Sequence, residues 1–258
     1  MAPPSNVHRC LLQFDALDAA RSWTNEIAGW PAGSHVWGHY AEVTDSGPAI
    51  CRTENVSACH GGYAGLVNGV LRDVAAEALG QPVTDFKDKI NYKQPGGAGF
   101  RPHQDVVAYP DAGTVMSVLV AIDDCTRESG CLWLADGVTQ VLATDDRGVV
   151  REDVATDLGW YPVELAAGDA VCIDGFAPHY SDANASAAQR RVLIASFSAS
   201  SEQYTRKHYY AARRAAMGSA TKRDGRFRIS TIADFAGTEV SPDETASESC
   251  THPGVGPT

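Results

Sequence analysis

A chain of 258 residues with 44% hydrophobic and 21% charged side chains has ordinary globular composition, which excludes a mostly disordered chain, a fibre and a coiled coil. Its 21 Lys plus Arg against 32 Asp plus Glu give a formal charge of −11, the wrong sign for general binding to nucleic acid or to an anionic membrane. A local basic pocket for a small anion is compatible with that total. The longest apolar stretch, Val115 to Ile122, is broken by Ser117 and falls far short of the roughly 20 residues that span a bilayer. Met1 to Cys10 lacks the apolar centre of a secretory leader. The seven cysteines form no C-x-x-C pair, so reduced, mostly buried thiols in a cytoplasmic protein are expected, not a zinc ribbon or disulfide framework.

In chain order, residues 14–29 (FDALDAARSWTNEIAG) space their apolar side chains three and four apart and end on Gly29, which predicts a helix. Residues 31–61 scatter Gly, Pro, Ser and His and read as irregular. Residues 63–79 predict a stronger helix: Leu66, Val67, Val70, Leu71, Val74 and Leu79 share a face, and Gly80 with Pro82 stops it. From residue 86 the pattern changes. Segments 86–93, 114–122, 130–135, 161–165, 170–174 and 191–199 are short, rich in Val, Ile, aromatics and Cys, and punctuated by Gly, Pro and Asp. That is the pattern of an antiparallel sandwich or small barrel. Residues 201–217 predict a closing helix, and the Ser-, Glu-, Thr-, Pro- and Gly-rich stretch 237–258 reads as a flexible tail. The expectation is one domain over 1–236, with a helical N-terminal region over residues 1–82, a β core over 83–200 and a C-terminal helix over 201–217.

Chemistry enters with His103-Gln104-Asp105. On an extended strand, residues two apart point to the same side, so this imidazole and carboxylate can grip one metal ion. Two histidines and one carboxylate with open positions form the ligand set of non-haem Fe(II) oxygenases. The tripeptide alone is weak, because this composition yields about one H-x-(D/E) by chance. Its surroundings are more informative. Upstream runs a strand and a Gly-rich turn, Lys89 to Pro102; downstream, Gly168 to Asp174 reads as a turn and strand leading to Ala177-Pro178-His179-Tyr180-Ser181. Arg190-Arg191 then opens the last strand. Neighbours on a strand point opposite ways, so one arginine of the pair faces in.

The blocks INYKQPGGAGFRPHQD, SGCLWLADG, GDAVCIDGFAPHYSDAN and RRVLIASF together resemble the phytanoyl-CoA dioxygenase (PhyH) family of Fe(II)- and 2-oxoglutarate-dependent oxygenases, from about residue 50 to about 235. The likeness is greatest to the branch that hydroxylates small polar molecules, including aminoethylphosphonate dioxygenases. It implies a mainly β fold with flanking helices, a cupin-like double-stranded β-helix (jelly roll) with the metal at its open mouth. It also implies that His103, Asp105 and His179 ligate iron, that Arg190 pairs with the distal carboxylate of 2-oxoglutarate and that Ser181 hydrogen-bonds it. Lys87 and Asn91, on the same face of one strand, occupy positions from which related enzymes contact that cosubstrate. O₂ and 2-oxoglutarate would be consumed to hydroxylate an unactivated C–H of a small polar metabolite, a phosphonate or a natural-product intermediate, with succinate and CO₂ released. The carboxylate at 105 favours hydroxylation, or its desaturation and cyclisation variants, over halogenation. A jelly-roll module that only binds a metabolite is the rival from another class.

For substrate contacts, Arg101, Gln104, Tyr109 and Trp133 flank the metal motif, while Arg52, Asn55 and His60 lie in an early segment able to fold over the site. Residues 206–228 hold eight Lys or Arg against Asp224, which reads as a solvated face or as a wall attracting an anion. Residues 144–160 carry an acidic insertion of the kind that helps build a lid and would attract an amine. A zwitterionic substrate reconciles the two.

Overall fold

The structure, a computed structural model, describes residues 6–30, 38–44, 47–219 and 237–239. Its strands are Val7–His8 (β1), Gly38–Thr44 (β2), Gly47–Glu54 (β3), Val83–Lys93 (β4), Phe100–His103 (β5), Met116–Ala121 (β6), Leu132–Ala135 (β7), Trp160–Val163 (β8), Ala170–Asp174 (β9), His179–Ser181 (β10), Arg190–Ala199 (β11) and Gly237–Glu239 (β12). Its helices are Phe14–Ala28 (α1), Gly61–Leu66 (α2), Arg72–Leu79 (α3), Asp105–Ala108 (α4), Glu152–Ala155 (α5) and Arg206–Ser219 (α6). The strands form two antiparallel sheets. The larger runs β1-β9-β6-β11-β4-β3-β2-β12 and the smaller runs β5-β10-β7-β8. Strands β4 to β11 divide four and four between the sheets, which is the jelly roll expected.

The side-chain alternation of each central strand decides what lies on either face. On β6, Val118 and Val120 pack beneath α1 to α3, while Leu119 and Ala121 point between the sheets. All six β6 residues are buried, so the segment reads as a continuous apolar run. On β11, Leu193, Ala195 and Phe197 join the helical layer, and Val192 joins the inter-sheet core. On β4, Ile90 and Tyr92 go to the helices, so Lys87, Lys89, Asn91 and Lys93 face the space between the sheets and line its cavity.

The helical layer follows the sequence closely. Residues 61–79 are continuous, with a π-turn at Val67–Leu71 where Gly69 leaves helical geometry. His60 caps the start, its Nδ1 accepting the Tyr63 N–H at 3.2 Å, and Gly80 ends the segment in the left-handed conformation at φ 65°. Gly62 lets α1 and α2 close, because a Cβ there would sit 2.5 Å from the Trp23 ring.

Residues 38–54 depart from the irregular reading: β2 and β3 form a hairpin that extends the larger sheet beyond β4. The buried end of β3 is Cys51, Arg52, Thr53 and Glu54. Charged side chains on the inward face remove the polar–apolar alternation that marks a strand. Within the stretch read as a tail, Gly237–Glu239 is a strand paired with β2; residues 240–258, like 220–236, lie outside the described residues. The closing helix starts at Arg206, after a 3₁₀ turn at Ser200–Glu202. Cys10, Cys51, Cys125, Cys131 and Cys172 are free thiols, whereas Cys59 is disulfide-bonded, against the expectation of reduced cysteines throughout. Among the described residues no helix is long and apolar enough to cross a membrane.

Candidate functional site

Strands β5 and β10 bring two histidines together. His103 ends β5, His179 begins β10, and the two are direct antiparallel partners with ring centroids 4.1 Å apart. Asp105 is not on the strand with His103. The chain turns at Gln104 and Asp105 opens α4. The three ligand atoms nevertheless lie within 4.8 Å of one another, with His179 Nε2 at 4.0 Å from Asp105 Oδ1. His103 Nδ1 is 2.7 Å from the Arg101 carbonyl and His179 Nδ1 is 3.0 Å from the Ala177 carbonyl. A carbonyl only accepts, so each Nδ1 carries the hydrogen and each Nε2 keeps its lone pair for a metal. Burial and the neighbouring His179 ring hold the His103 pKa well below its ordinary value. Burial alone would raise the Asp105 carboxyl, but His179, His103 and the ammonium of Lys89 draw it below the usual carboxylate range. Two imidazoles whose Nδ1 atoms are held by backbone carbonyls, with an ionised carboxylate beside them, fit a ferrous ion.

The second Asp105 oxygen is also held. Ser117 Oγ donates to Oδ2 at 2.9 Å and shares a 2.9 Å hydrogen bond with Ser196 Oγ. Ser117 is the residue that breaks the apolar run of β6, and that interruption is its sequence signal. Ser117→Ala should weaken Fe(II) binding by about 10- to 100-fold, the usual cost of losing a partner that orients a ligand. An anaerobic Fe(II) titration of the two proteins measures it; equal affinities would show that Asp105 needs no such support.

From the triad a cavity of about 890 Å³ runs between the sheets. Its inner end is basic and its walls there include Leu119, Leu132, Val163, Leu165 and Val192. Arg190 faces Lys93 across the β11–β4 ladder. Arg190 is buried, and its Nη2 donates to the Gly130 carbonyl at 2.7 Å. Lys93 Nζ donates to Ser181 Oγ at 2.9 Å and to the carbonyl of Asp182. Burial and the adjacent guanidinium lower the Lys93 pKa to about 6. Arg191 points the other way, into a two-pronged pair with Asp123 at 2.7 and 2.8 Å. Sequence reasoning missed Lys93, although β-alternation from Asn91 and its place opposite Arg190 mark it.

The outer end carries a second basic group. Lys87 Nζ donates to Tyr109 Oη at 2.8 Å and lies 5.2 Å over the Tyr109 and Tyr209 rings. Arg52 Nε donates to Asn91 Oδ1 at 3.2 Å, and Arg52 Nη1 lies 3.3 Å from Glu54 Oε1. Glu54 also meets Arg213 of α6 at 2.8 Å. Although burial opposes its ionisation, Arg213, Lys87 and Arg52 keep Glu54 charged.

Arg52, Lys87, Asn91, Tyr109, Ser181 and Arg190 therefore line the cavity. Among the other suggested substrate contacts, Arg101, Trp133, Asn55 and His60 do not line it. Gln104 reaches its wall, but its amide is used by the backbone: it donates to the Gln140 and Phe176 carbonyls and accepts from Leu142 N–H. Trp133 stacks on Tyr180 at 5.7 Å on the other side of the smaller sheet. Arg101 is exposed on a shallow groove beside Tyr180. Asn55 accepts from Arg206 at 2.7 Å, and His60 is packed among Trp23, Trp30 and Tyr63. Of the basic stretch 206–228, Arg206 is engaged by Asp85 and Asp88 and Arg213 by Glu54; residues 220–228 lie outside the described residues. In the acidic insertion, Asp146 and Arg147 reach the cavity rim.

Known proteins share these features. The chain is 36% identical over 221 residues to a methylphosphonate hydroxylase of Gimesia maris, covering 84% of this chain and 85% of that one. It is 34% identical over 197 residues to a 2-aminoethylphosphonate dioxygenase of an uncultured bacterium, covering 74% and 75%. Among solved structures, the fold matches EctD from S. alaskensis, crystallised with 2-oxoglutarate and 5-hydroxyectoine, at TM-score 0.66 and 19% identity over 76% of this chain and 72% of that one. It also matches the non-haem α-ketoglutarate-dependent epimerase SnoN from nogalamycin biosynthesis at TM-score 0.63 and 18% identity, covering 75% and 77%. Residues 6–192 match the family described as phytanoyl-CoA dioxygenase. With a His-Asp-His triad able to hold a metal ion gathered between the sheets, the protein is a dioxygenase, and the chain belongs to the phytanoyl-CoA dioxygenase (PhyH) family.

Proposed function

We propose that the protein hydroxylates an unactivated C–H of a small phosphonate, using Fe(II), O₂ and 2-oxoglutarate. The observation that carries this is one cavity lined both by the His103–Asp105–His179 triad and by the Arg190–Lys93–Ser181 cluster. The phosphonate follows from the relatives' substrates. His103 Nε2, His179 Nε2 and Asp105 Oδ1 would hold the iron and leave its remaining positions to the cosubstrate and O₂. Bound iron with 2-oxoglutarate supplies the oxidation: R–H, O₂ and 2-oxoglutarate become R–OH, succinate and CO₂.

The chain's own groups orient the reactants. The Arg190 guanidinium, fixed by the Gly130 carbonyl, and the Lys93 ammonium receive the distal carboxylate of 2-oxoglutarate, with Ser181 beside them. Asn91 lies one β period outward and can meet the cosubstrate's other end. Lys87 is six residues from Lys93, about 20 Å along the strand, and its ammonium is tethered to Tyr109. A five-carbon diacid is no longer than about two extended residues, so Lys87 belongs with the substrate. The apolar side chains lining the inner end, Leu119, Leu132, Val163, Leu165 and Val192, lower the local dielectric and strengthen charge pairing there.

The test is incubation of Fe(II)-loaded protein with 2-oxoglutarate and O₂, with methylphosphonate or 2-aminoethylphosphonate added. Succinate should form in step with hydroxylated phosphonate. Succinate production indifferent to both phosphonates would remove the substrate assignment, and no O₂ uptake at all would favour the metabolite-binding module.

A further inference from the structure

We infer that Lys89, together with Arg52 and Lys87, is a receptor for a doubly charged tetrahedral oxyanion, the head group of the substrate, held beside the metal triad. The inference rests on the phosphonate reading for what the head group is, but its binding geometry stands on the cavity itself.

Lys89 lies on the inward face of β4, between Lys87 and Asn91, and lines the cavity. Across the β3–β4 ladder it faces Glu54, and Arg52 faces Asn91. Four cations (Arg52, Lys87, Lys89 and Arg213) thus surround one buried carboxylate, Glu54. Glu54 is already shared between two arginines. Among the described residues, the Lys89 ammonium has no hydrogen-bond acceptor and no ion-pair partner, whereas Lys87 has Tyr109, Arg52 has Asn91 and Glu54, and Arg213 has Glu54.

A cation taken out of water and left unpaired is costly. Burial and the like charges of Lys87 and Arg52 accordingly press the Lys89 pKa well below its ordinary value, against the attraction of Asp105. Lys87 and Lys89 line the same cavity as His103, Asp105 and His179. A surplus of positive charge in a partly dry cleft is relieved by an anion carrying more than one charge. The inner cluster is claimed by Arg190 and Lys93 some four residues down the strand from Lys89, about 13 Å away, so one diacid cannot span both. Two anions, each with its own basic cluster, would therefore occupy separate stretches of the cavity along β4.

The test is anaerobic calorimetry on protein loaded with Fe(II) and 2-oxoglutarate, titrated with methylphosphonate, inorganic phosphate and methanesulfonate at a pH where the first two are dianions. Methanesulfonate has the shape of methylphosphonate with one charge fewer. Wild type should bind both dianions, and methanesulfonate at least about tenfold more weakly. Lys89→Met should weaken dianion binding about 10- to 100-fold, as expected for a lost charged hydrogen bond, leave 2-oxoglutarate binding unchanged, and melt no lower than wild type because a half-buried cation without an ion-pair partner is gone. Arg52→Gln should weaken the same dianions and provides the answer if Lys89→Met does not fold. Equal dianion affinity in the variants, equal affinity for methanesulfonate, or no dianion binding by wild type would overturn the inference. Because binding is read without turnover, an inactive but dianion-binding protein would sink the hydroxylation reading alone, and an active enzyme indifferent to Lys89→Met would sink this inference alone.

Discussion

Asp105→Ala is expected to abolish hydroxylation and to weaken Fe(II) binding by more than the roughly 10- to 100-fold typical of losing a ligand's supporting partner. The carboxylate is the only anionic member of the triad, beside two imidazoles held by backbone carbonyls. Its removal leaves a dication held by two uncharged nitrogens. It also leaves the Ser117 hydroxyl without its acceptor at 2.9 Å, so relaxation through Ser196 gives a local cost but no substitute ligand. The measurements are turnover by succinate release and Fe(II) affinity under anaerobic conditions. Near-normal turnover would remove Asp105 from the metal and with it the reading of the whole triad.

Arg190→Ala should raise the 2-oxoglutarate requirement far more than the substrate requirement. Truncating one partner of a buried charged contact typically costs about 2–5 kcal/mol, or about 30-fold and upward in affinity. Arg190 is 6% exposed and already oriented by the Gly130 carbonyl, so its loss is not made up by solvent. Lys93 limits the damage. The Arg190 guanidinium is one cause of its lowered pKa, so without that neighbour Lys93 holds its proton more firmly and can still meet the carboxylate. Arg190→Ala with Lys93→Met should therefore lose more than the two single losses predict, as coupled neighbours do. Steady-state kinetics with each reactant varied in turn decides the matter. A rise confined to the phosphonate would move Arg190 into the substrate pocket.

The regions of the fold legible in the sequence are those where apolar side chains carry the pattern. Phe14–Ala28 and the helix over 61–79 show their faces plainly, and β6, β9 and β11 show continuous apolar runs because both sides are covered. The hairpin of β2 and β3 was illegible because its inward residues, Arg52 and Glu54, serve a polar cavity instead of a core. The metal triad was readable from local blocks, yet the position of Asp105 on α4 was not, since only the turn at Gln104 separates strand from helix. Gln104, Asn55 and His60 look like recognition residues in sequence. Their polar atoms are taken by backbone or by one another's neighbours, a fact of long-range packing that no local spacing carries. Ser117 and Lys93 act through partners 12 and 88 residues away, and strand register, not sequence proximity, brings them there.

The inward face of β4 has one more consequence. A slip of a single residue in its pairing would turn every lysine toward the helices and every apolar neighbour toward the cavity, so the strand's register is under strong constraint. Substitutions along it are not. Positions 89 and 93 stand far enough apart for changes at one to act independently of the other. If the outer positions receive the substrate and the inner end the keto-acid, as proposed, such a strand would let a lineage rewrite which metabolite it accepts while the anchorage at the inner end passes on unaltered.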